Sequence, residues 1–304
     1  MKRSGAPPGF VEMEAAGSKL VARADEAAAV AALVARVAPA LAATGARGEP
    51  AGRPHREGRG GLVELADAAA SGLVVKRLLR GGMASKIGPD RYGHRRLLAE
   101  MRTHEDASAR GIPTSRLAWG ATVRSDRGAT TALLATHRIE ECMTLGDAIA
   151  DAAGGDGARK ERRRRLRACG IAVRAAHDRG LDHADLNIGN VLVSTRPAPG
   201  AAAAFVIDLG ISTLGAPLAA SKRAANLVRL LRSAEKHLGL DGRRARDAAA
   251  FLHGYFAGEG GDPRAWRRSL LASIRRRLPS IALHRAGWAL NRAVGSRRRP
   301  PRRR

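Results

Sequence analysis

The chain has 304 residues, enough for one large domain or a two-part unit with a sizeable core. Hydrophobic residues make up 44% but aromatics only 3%, which excludes a disordered chain and requires a core of Ala, Val and Leu. Lys and Arg number 54 against 28 Asp and Glu, and the net charge of +26 draws polyanions: nucleic acid, nucleotide phosphates or an anionic lipid face. The two cysteines, Cys142 and Cys169, fit no metal-ligand spacing, so a reduced interior is expected. "MKRSGAPPGF" has no apolar core of a secretory signal, and residues 27–43 are interrupted by Arg36 and Pro39 and too short to span a bilayer. A cytoplasmic protein is therefore expected.

In chain order, residues 9–25 alternate apolar and polar around Gly17-Ser18, which predicts a β-hairpin. An Ala-rich helix follows over 26–43, then a Gly, Pro and charge-rich linker over 45–61. Residues 61–79 read as a second hairpin with Lys76 near the end of its second strand. Residues 91–109 are helical by pattern and stop at Gly111-Ile112-Pro113; 117–123 and 129–139 are two more strands. After Glu140 the character turns helical, and "SRRRPPRRR" ends the chain as a like-charged, Pro-broken tail. Strands first and helices afterwards predict an α+β protein with two unlike lobes.

The chemistry-bearing residues concentrate in "HADLNIGNVLV" (183–193) and "VIDLG" (206–210). Asp185 and Asn190 follow His183 on a loop that enters one short strand, and Asp208 follows another. Two strands each delivering an oxygen ligand suit a hard cation such as Mg²⁺, which takes one or two protein ligands plus phosphates and waters. Asn190 and Asp208 are the candidate ligands, and Asp185 is left to orient or deprotonate an attacking hydroxyl. The plainer alternative is that these residues shape turns, as Asp and Asn commonly do. Upstream, the glycine-rich stretch carrying Gly58, Gly60 and Gly61 offers backbone N–H groups to phosphates. Lys76, on a strand, needs counter-charge: phosphate oxygens on one side and a helix carboxylate on the other, Glu100 first and Glu105 as the fallback.

The order glycine-rich loop, V-x-K, helix Glu, H-x-D-x-x-x-x-N and D-x-G resembles the protein-kinase-like superfamily. The flanks "GRGG…VVKRLLRGG…DRY", "EM…ARGIPT", "HADLNIGNVLV" and "NLVRLLRSAEK" (226–236) are similar to the lipopolysaccharide core kinases, the Kdo (3-deoxy-D-manno-octulosonic acid) and heptose kinases, from about residue 55 to 240. The resemblance implies a two-lobed protein-kinase-like fold with an antiparallel β-sheet N-lobe and a mainly helical C-lobe. The expected parts are an N-terminal hairpin and helix extension (1–54), an N-lobe (55–140), a C-lobe (141–290) and a basic disordered tail (291–304). It also implies ATP and Mg²⁺ as cofactors, catalytic roles for Asp185, His183 and Lys76, and adenine bonded near Glu140 and Cys142 at a hinge over Arg138–Cys142. The implied acceptor is a sugar hydroxyl of lipid A-linked core oligosaccharide or a similar glycan, presented on the anionic cytoplasmic face of the inner membrane.

Two features depart from the pattern: the glycine loop has Gly61-Leu62 in place of an aromatic tip, and Asp208-Leu209-Gly210 is closer to the protein-kinase form than to the acidic variants of many Kdo kinases. Asn187 stands where protein kinases carry lysine, which favours a small or glycan acceptor. Other readings stay open at this point. One is an antibiotic, choline-like or protein-hydroxyl kinase of the same fold, another an inactive scaffold. A third is a basic nucleic-acid-binding protein, although aromatic interleaving and zinc spacing are missing and nonspecific binding to nucleic acid is expected from charge alone. "RKERRRR" (159–165) and "RRR" (275–277) are candidate contact patches for an anionic surface.

Overall fold

The computed structural model describes residues 5–15, 17–43, 62–63, 72–78, 93–124, 130–151, 154–197, 200, 203–238, 242–257 and 263–277. Gly58, Gly60, Gly61 and the tail 291–304 lie outside the described residues. The chain divides into two units: residues 1–141 with Ile207–Ile211, and residues 142–206 with 212–304. The fold is α+β, a β-rich first unit and a mainly helical second one.

In the first unit, β1 (Phe10–Ala15) and β2 (Ser18–Arg23) form the hairpin expected around Gly17. β3 (Leu62–Val63) pairs antiparallel with β4 (Leu73–Leu78), placing Leu62 opposite Lys76. With β5 (Leu117–Arg124) and β6 (Thr130–His137) they make one six-stranded sheet, order β1-β2-β5-β6-β4-β3. The N-terminal hairpin is thus part of this sheet, paired through β2 to β5.

Side chains alternate across each strand, so neighbouring buried residues feed opposite faces. Leu20, Ala22, Leu133 and Ala135 join Trp119 and Val75 beneath Val30, Leu33 and Val34 of α1 (Ala27–Ala43). Val21, Ala132 and Leu134 face the other way, onto Leu97, Leu98 and Met101 of α2 (His94–Ala109). A sheet covered on both sides explains why the central strands β2 and β6 carry runs of consecutive buried aliphatic residues.

The second unit opens with β7 (Cys142–Thr144), whose Thr144 caps the short helix α3 (Leu145–Ala150) in a reciprocal capping box with Asp147. The long helix α4 (Asp156–Asp178) leads to β8 (Leu181–Asp182), β9 (Val191–Ser194) and β10 (Ala204–Val206). β7, β9 and β10 form a small sheet, and β11 (Thr213–Leu214) pairs with β8. Three more helices follow among the described residues: α5 (Ala220–Leu238), α6 (Gly242–Tyr255) and α7 (Pro263–Arg275). Gly170 of α4 and Gly254 of α6 each face the other helix's backbone with no room for a Cβ, which lets these two helices close. No described helix is long and apolar enough to cross a membrane.

The arginines of 159–165 are largely engaged within the fold. Arg162 pairs with the buried Asp247 of α6 at 3.1 Å, Arg164 and Arg165 both pair with Glu161, and Arg159 lies 3.6 Å from Asp156. As a contact patch for an anionic surface this segment is weaker than its sequence suggests.

His177 bonds Tyr255 Oη at 2.7 Å in the helical core, and burial, with Arg223 nearby, pushes its pKa down to about 3. The unfolded chain takes up a proton at this histidine below about 6.5 that the folded chain refuses until about 3. Its contribution is therefore present above pH 6.5 and is lost as pH falls across that window. Urea midpoints measured from pH 7 to 4 should fall less steeply for His177→Asn than for wild type; parallel slopes would remove His177 from the acid response.

Candidate active site

Within the first unit, three residues far apart in sequence converge. Lys76 leaves β4 and its Nζ donates to Asp208 Oδ2 at 2.5 Å, across 132 residues of chain. Both side chains are roughly 30% exposed, so such a pair is worth about 1 kcal/mol or less to stability. Its geometry matters more than its energy. Asp208 sits in left-handed backbone (φ 63°), a conformation that Asp and Asn tolerate better than other side-chain-bearing residues.

Glu100, on α2, is the third member. It is 6% exposed, and burial raises its pKa to about 7, against the pull of the Lys76 ammonium and with a further push from the Asp208 carboxylate. A Cβ at Gly210 would lie 2.5 Å from Glu100 Oε2, so the glycine of Asp208-Leu209-Gly210 is required by the carboxylate packed against it. The alternative partner for Lys76, Glu105, is committed elsewhere: it accepts from Arg23 Nη2 at 3.1 Å. Glu140, at the end of this unit, is exposed and 4.0 Å from Arg138 Nε.

Within the second unit, the 183–190 loop is held from inside and from below. His183 is 2% exposed, and its Nδ1 accepts from the Asp185 backbone N–H at 3.2 Å, so the ring braces the loop. Asn190 Nδ2 donates to the Asp185 carbonyl at 2.9 Å, which leaves Asn190 Oδ1 as an oxygen donor for other groups. Asn187 Nδ2 donates to the same carbonyl and to Asp185 Oδ2, at 3.1 and 3.3 Å, and orients an otherwise exposed carboxylate. Cys142 opens β7 opposite Ser194. Among the described residues no group of three or more His, Cys, Asp or Glu side chains forms a metal cage. Asp208 and Asn190 offer the hard oxygen donors that Mg²⁺ prefers, and phosphates and waters usually complete its shell.

Helix α5 supplies what the sequence did not reveal. Asn226 Oδ1 accepts from the His183 N–H at 3.1 Å, while its Nδ2 donates to Asp182 Oδ1 at 2.8 Å. Arg229 donates to the His183 carbonyl at 3.0 Å, and Ser233 Oγ accepts from the Ile188 N–H at 3.3 Å. The spacing i, i+3, i+7 puts all three on one helical face. The "NLVRLLRS" run singled out by resemblance is thus the splint of the loop that carries Asp185.

The sequence model of the lipopolysaccharide kinase (Kdo/WaaP) family matches residues 47–255. The 3-deoxy-D-manno-octulosonic acid kinase of Xanthomonas euvesicatoria pv. vesicatoria (strain 85-10) is 35% identical over 200 residues, 64% of this chain and 73% of that one. The enzyme of the same name from Stenotrophomonas maltophilia (strain K279a) is 34% identical over 192 residues, 62% and 71% of the two chains. Among solved structures, "WaaP in complex with acyl carrier protein" aligns at 20% identity and a TM-score of 0.48, over 75% of this chain and 87% of that one. The family match takes in the Lys76, Glu100 and Asp208 cluster, the braced 183–190 loop and its splint, and by that match the chain belongs to the lipopolysaccharide kinase (Kdo/WaaP) family.

Proposed function

We propose that this chain transfers the γ-phosphate of ATP to a hydroxyl of Kdo in the lipopolysaccharide inner core. The single observation that carries the reading is the Lys76–Asp208 pair, two residues 132 positions apart brought to hydrogen-bonding distance beside a buried glutamate. Family membership supports a sugar kinase, and the names of the relatives favour Kdo over heptose.

In this reading Lys76 binds phosphate oxygens of the nucleotide, with Glu100 as its second anchor, and the backbone of Gly58, Gly60 and Gly61 covers the phosphates. The peptide groups near Glu140 and Cys142 bond the adenine. Asp208 and Asn190 hold Mg²⁺, which when bound neutralises charge on the transferring phosphates. The sugar oxygen attacks the γ-phosphorus, the bond from that phosphorus to the bridging oxygen breaks, ADP leaves, and the hydroxyl proton passes to Asp185. Asn187 holds Asp185 Oδ2, which leaves Oδ1 for the acceptor hydroxyl. A net charge of +26 favours residence on the anionic cytoplasmic face of the inner membrane, at roughly 1 kcal/mol per well-placed basic residue.

The direct test is phosphate transfer from radiolabelled ATP to a panel of lipid A precursors bearing Kdo or heptose. Label should enter the Kdo acceptor, and kcat for Asp185→Asn should fall by about 10²-fold or more with ATP KM little changed. Label on no glycolipid, or an unaltered kcat, would overturn the reading.

The splint has its own signature. Asn226→Ala removes the acceptor for a buried N–H and should cost about 1–3 kcal/mol in stability. Below the melting range it should also lower kcat at least tenfold, with ATP KM nearly constant. Asn226→Asp keeps the acceptor toward His183 but sets a carboxylate against Asp182, so it should not restore kcat. A stability loss without a kcat loss would make Asn226 structural only.

Nucleotide placement can be read at Cys142. Burial pushes the Cys169 thiol up to about 12, so a thiol reagent should modify the partly exposed Cys142 selectively. Saturating ATP should slow that labelling; an unchanged rate would move the adenine away from residues 140–142.

A further inference from the structure

Between α5 and the end of α7 lies an open pocket of about 350 Å³, lined by Ala225, Val228, Arg229, Arg232, Arg276 and Arg277. Four of the six lining residues are arginines and none is acidic. Residues 225, 228, 229 and 232 form one stripe of α5, beside the stripe that splints the catalytic loop, and Arg229 belongs to both. Arg229 and Arg276 donate to neutral oxygens, the His183 carbonyl and Ser273 Oγ. Arg232 Nε is buried with no hydrogen-bond partner among the described residues. None of these three makes a contact ion pair with a carboxylate among the described residues, although the Arg229 charge reaches Asp182. The family match ends at residue 255, so the α7 side of the pocket lies beyond it.

Clustered guanidinium groups repel one another, and a buried N–H without an acceptor is costly, so an anion in the pocket would relieve both. Arginine forks match phosphate with paired hydrogen bonds, and Ala225 and Val228 form an apolar wall beside them. The volume is near the low end of ligand sites, roughly 300–1,000 Å³, which suits a phosphorylated headgroup better than a large ligand. We infer that this pocket binds a phosphate group carried by the acceptor glycolipid, and that Arg229 ties its occupancy to the catalytic loop. The phosphate site stands on the pocket alone; its source rests on the acceptor reading above.

The test fills the nucleotide site with a non-hydrolysable ATP analogue and titrates inorganic phosphate, with chloride at matched ionic strength as control. Phosphate should raise the melting temperature of wild type, and its apparent Kd should weaken at least tenfold in Arg232→Gln and in Arg276→Gln/Arg277→Gln. The last two positions are exposed, so that double variant should fold, shown by a wild-type response to the analogue. An equal phosphate response in wild type and both variants overturns the pocket. For the source, the acceptor is compared with its enzymatically dephosphorylated form. KM should rise at least tenfold on dephosphorylation with wild type and hardly change with the double variant. If phosphate binding is lost in the variants but the two acceptors give equal KM with wild type, the acceptor source is overturned. Binding of wild type alone to phosphatidylglycerol vesicles would then assign the pocket to a lipid headgroup. If no glycolipid is phosphorylated at all, the acceptor reading fails while the phosphate titration still decides the pocket.

Discussion

The loop that carries Asp185 is irregular, and its own peptide groups lack the partners that a helix or sheet provides. Everything at this site depends on meeting that requirement without regular structure. The solution is side chain to backbone: His183, Asn187 and Asn190 close the loop on itself, and Asn226, Arg229 and Ser233 bind it from α5. The loop is therefore as well determined as a strand, although only two of the residues before it form one. Such fixed positioning is what phosphoryl transfer asks of a protein, because the chemistry itself needs little covalent help.

The cluster of the first unit answers a different constraint. Lys76 and Asp208 stay partly exposed, where charge is cheap, and Glu100 is buried, where it is expensive. The packing of α2 against the sheet forces that burial, since Leu97 and Met101 flank Glu100 on the same face. Burial holds this carboxyl near 7 even with the Lys76 ammonium pulling the other way. Lys76 is bonded to the partly exposed acid, Asp208, and acts through its field on the buried one, whose ion-pair partner is Arg96 at 3.9 Å.

Much of this was legible in the sequence. Alternation pointed to the first hairpin and two apolar runs to the second, and both strand pairs are present; Lys76 and Asp208, singled out near strand ends, lie within hydrogen-bonding distance. The choice between Glu100 and Glu105 was also available, since Leu97, Glu100, Met101, His104 and Ala107 trace the buried stripe of α2 while Glu105 sits at its side and meets Arg23. The splint was not legible. Hydrophobic periodicity reports which face of α5 is buried, but it carries no information about which amide finds which backbone group 43 residues away. The partner of Arg162 was hidden for a related reason: charge in a sequence does not say whether a carboxylate such as Asp247 waits inside the fold.

The left-handed backbone at Asp208 also bears on how this gene can decay. Few residues occupy that conformation without strain, and among those with side chains Asn and Asp are the ones that enter it readily. Most replacements there strain the backbone as well as removing the charge. Asparagine and glycine erase the carboxylate and leave the torsion angles undisturbed. A lineage that sheds the charge at this codon while keeping the fold therefore has two single-base exits, to asparagine and to glycine.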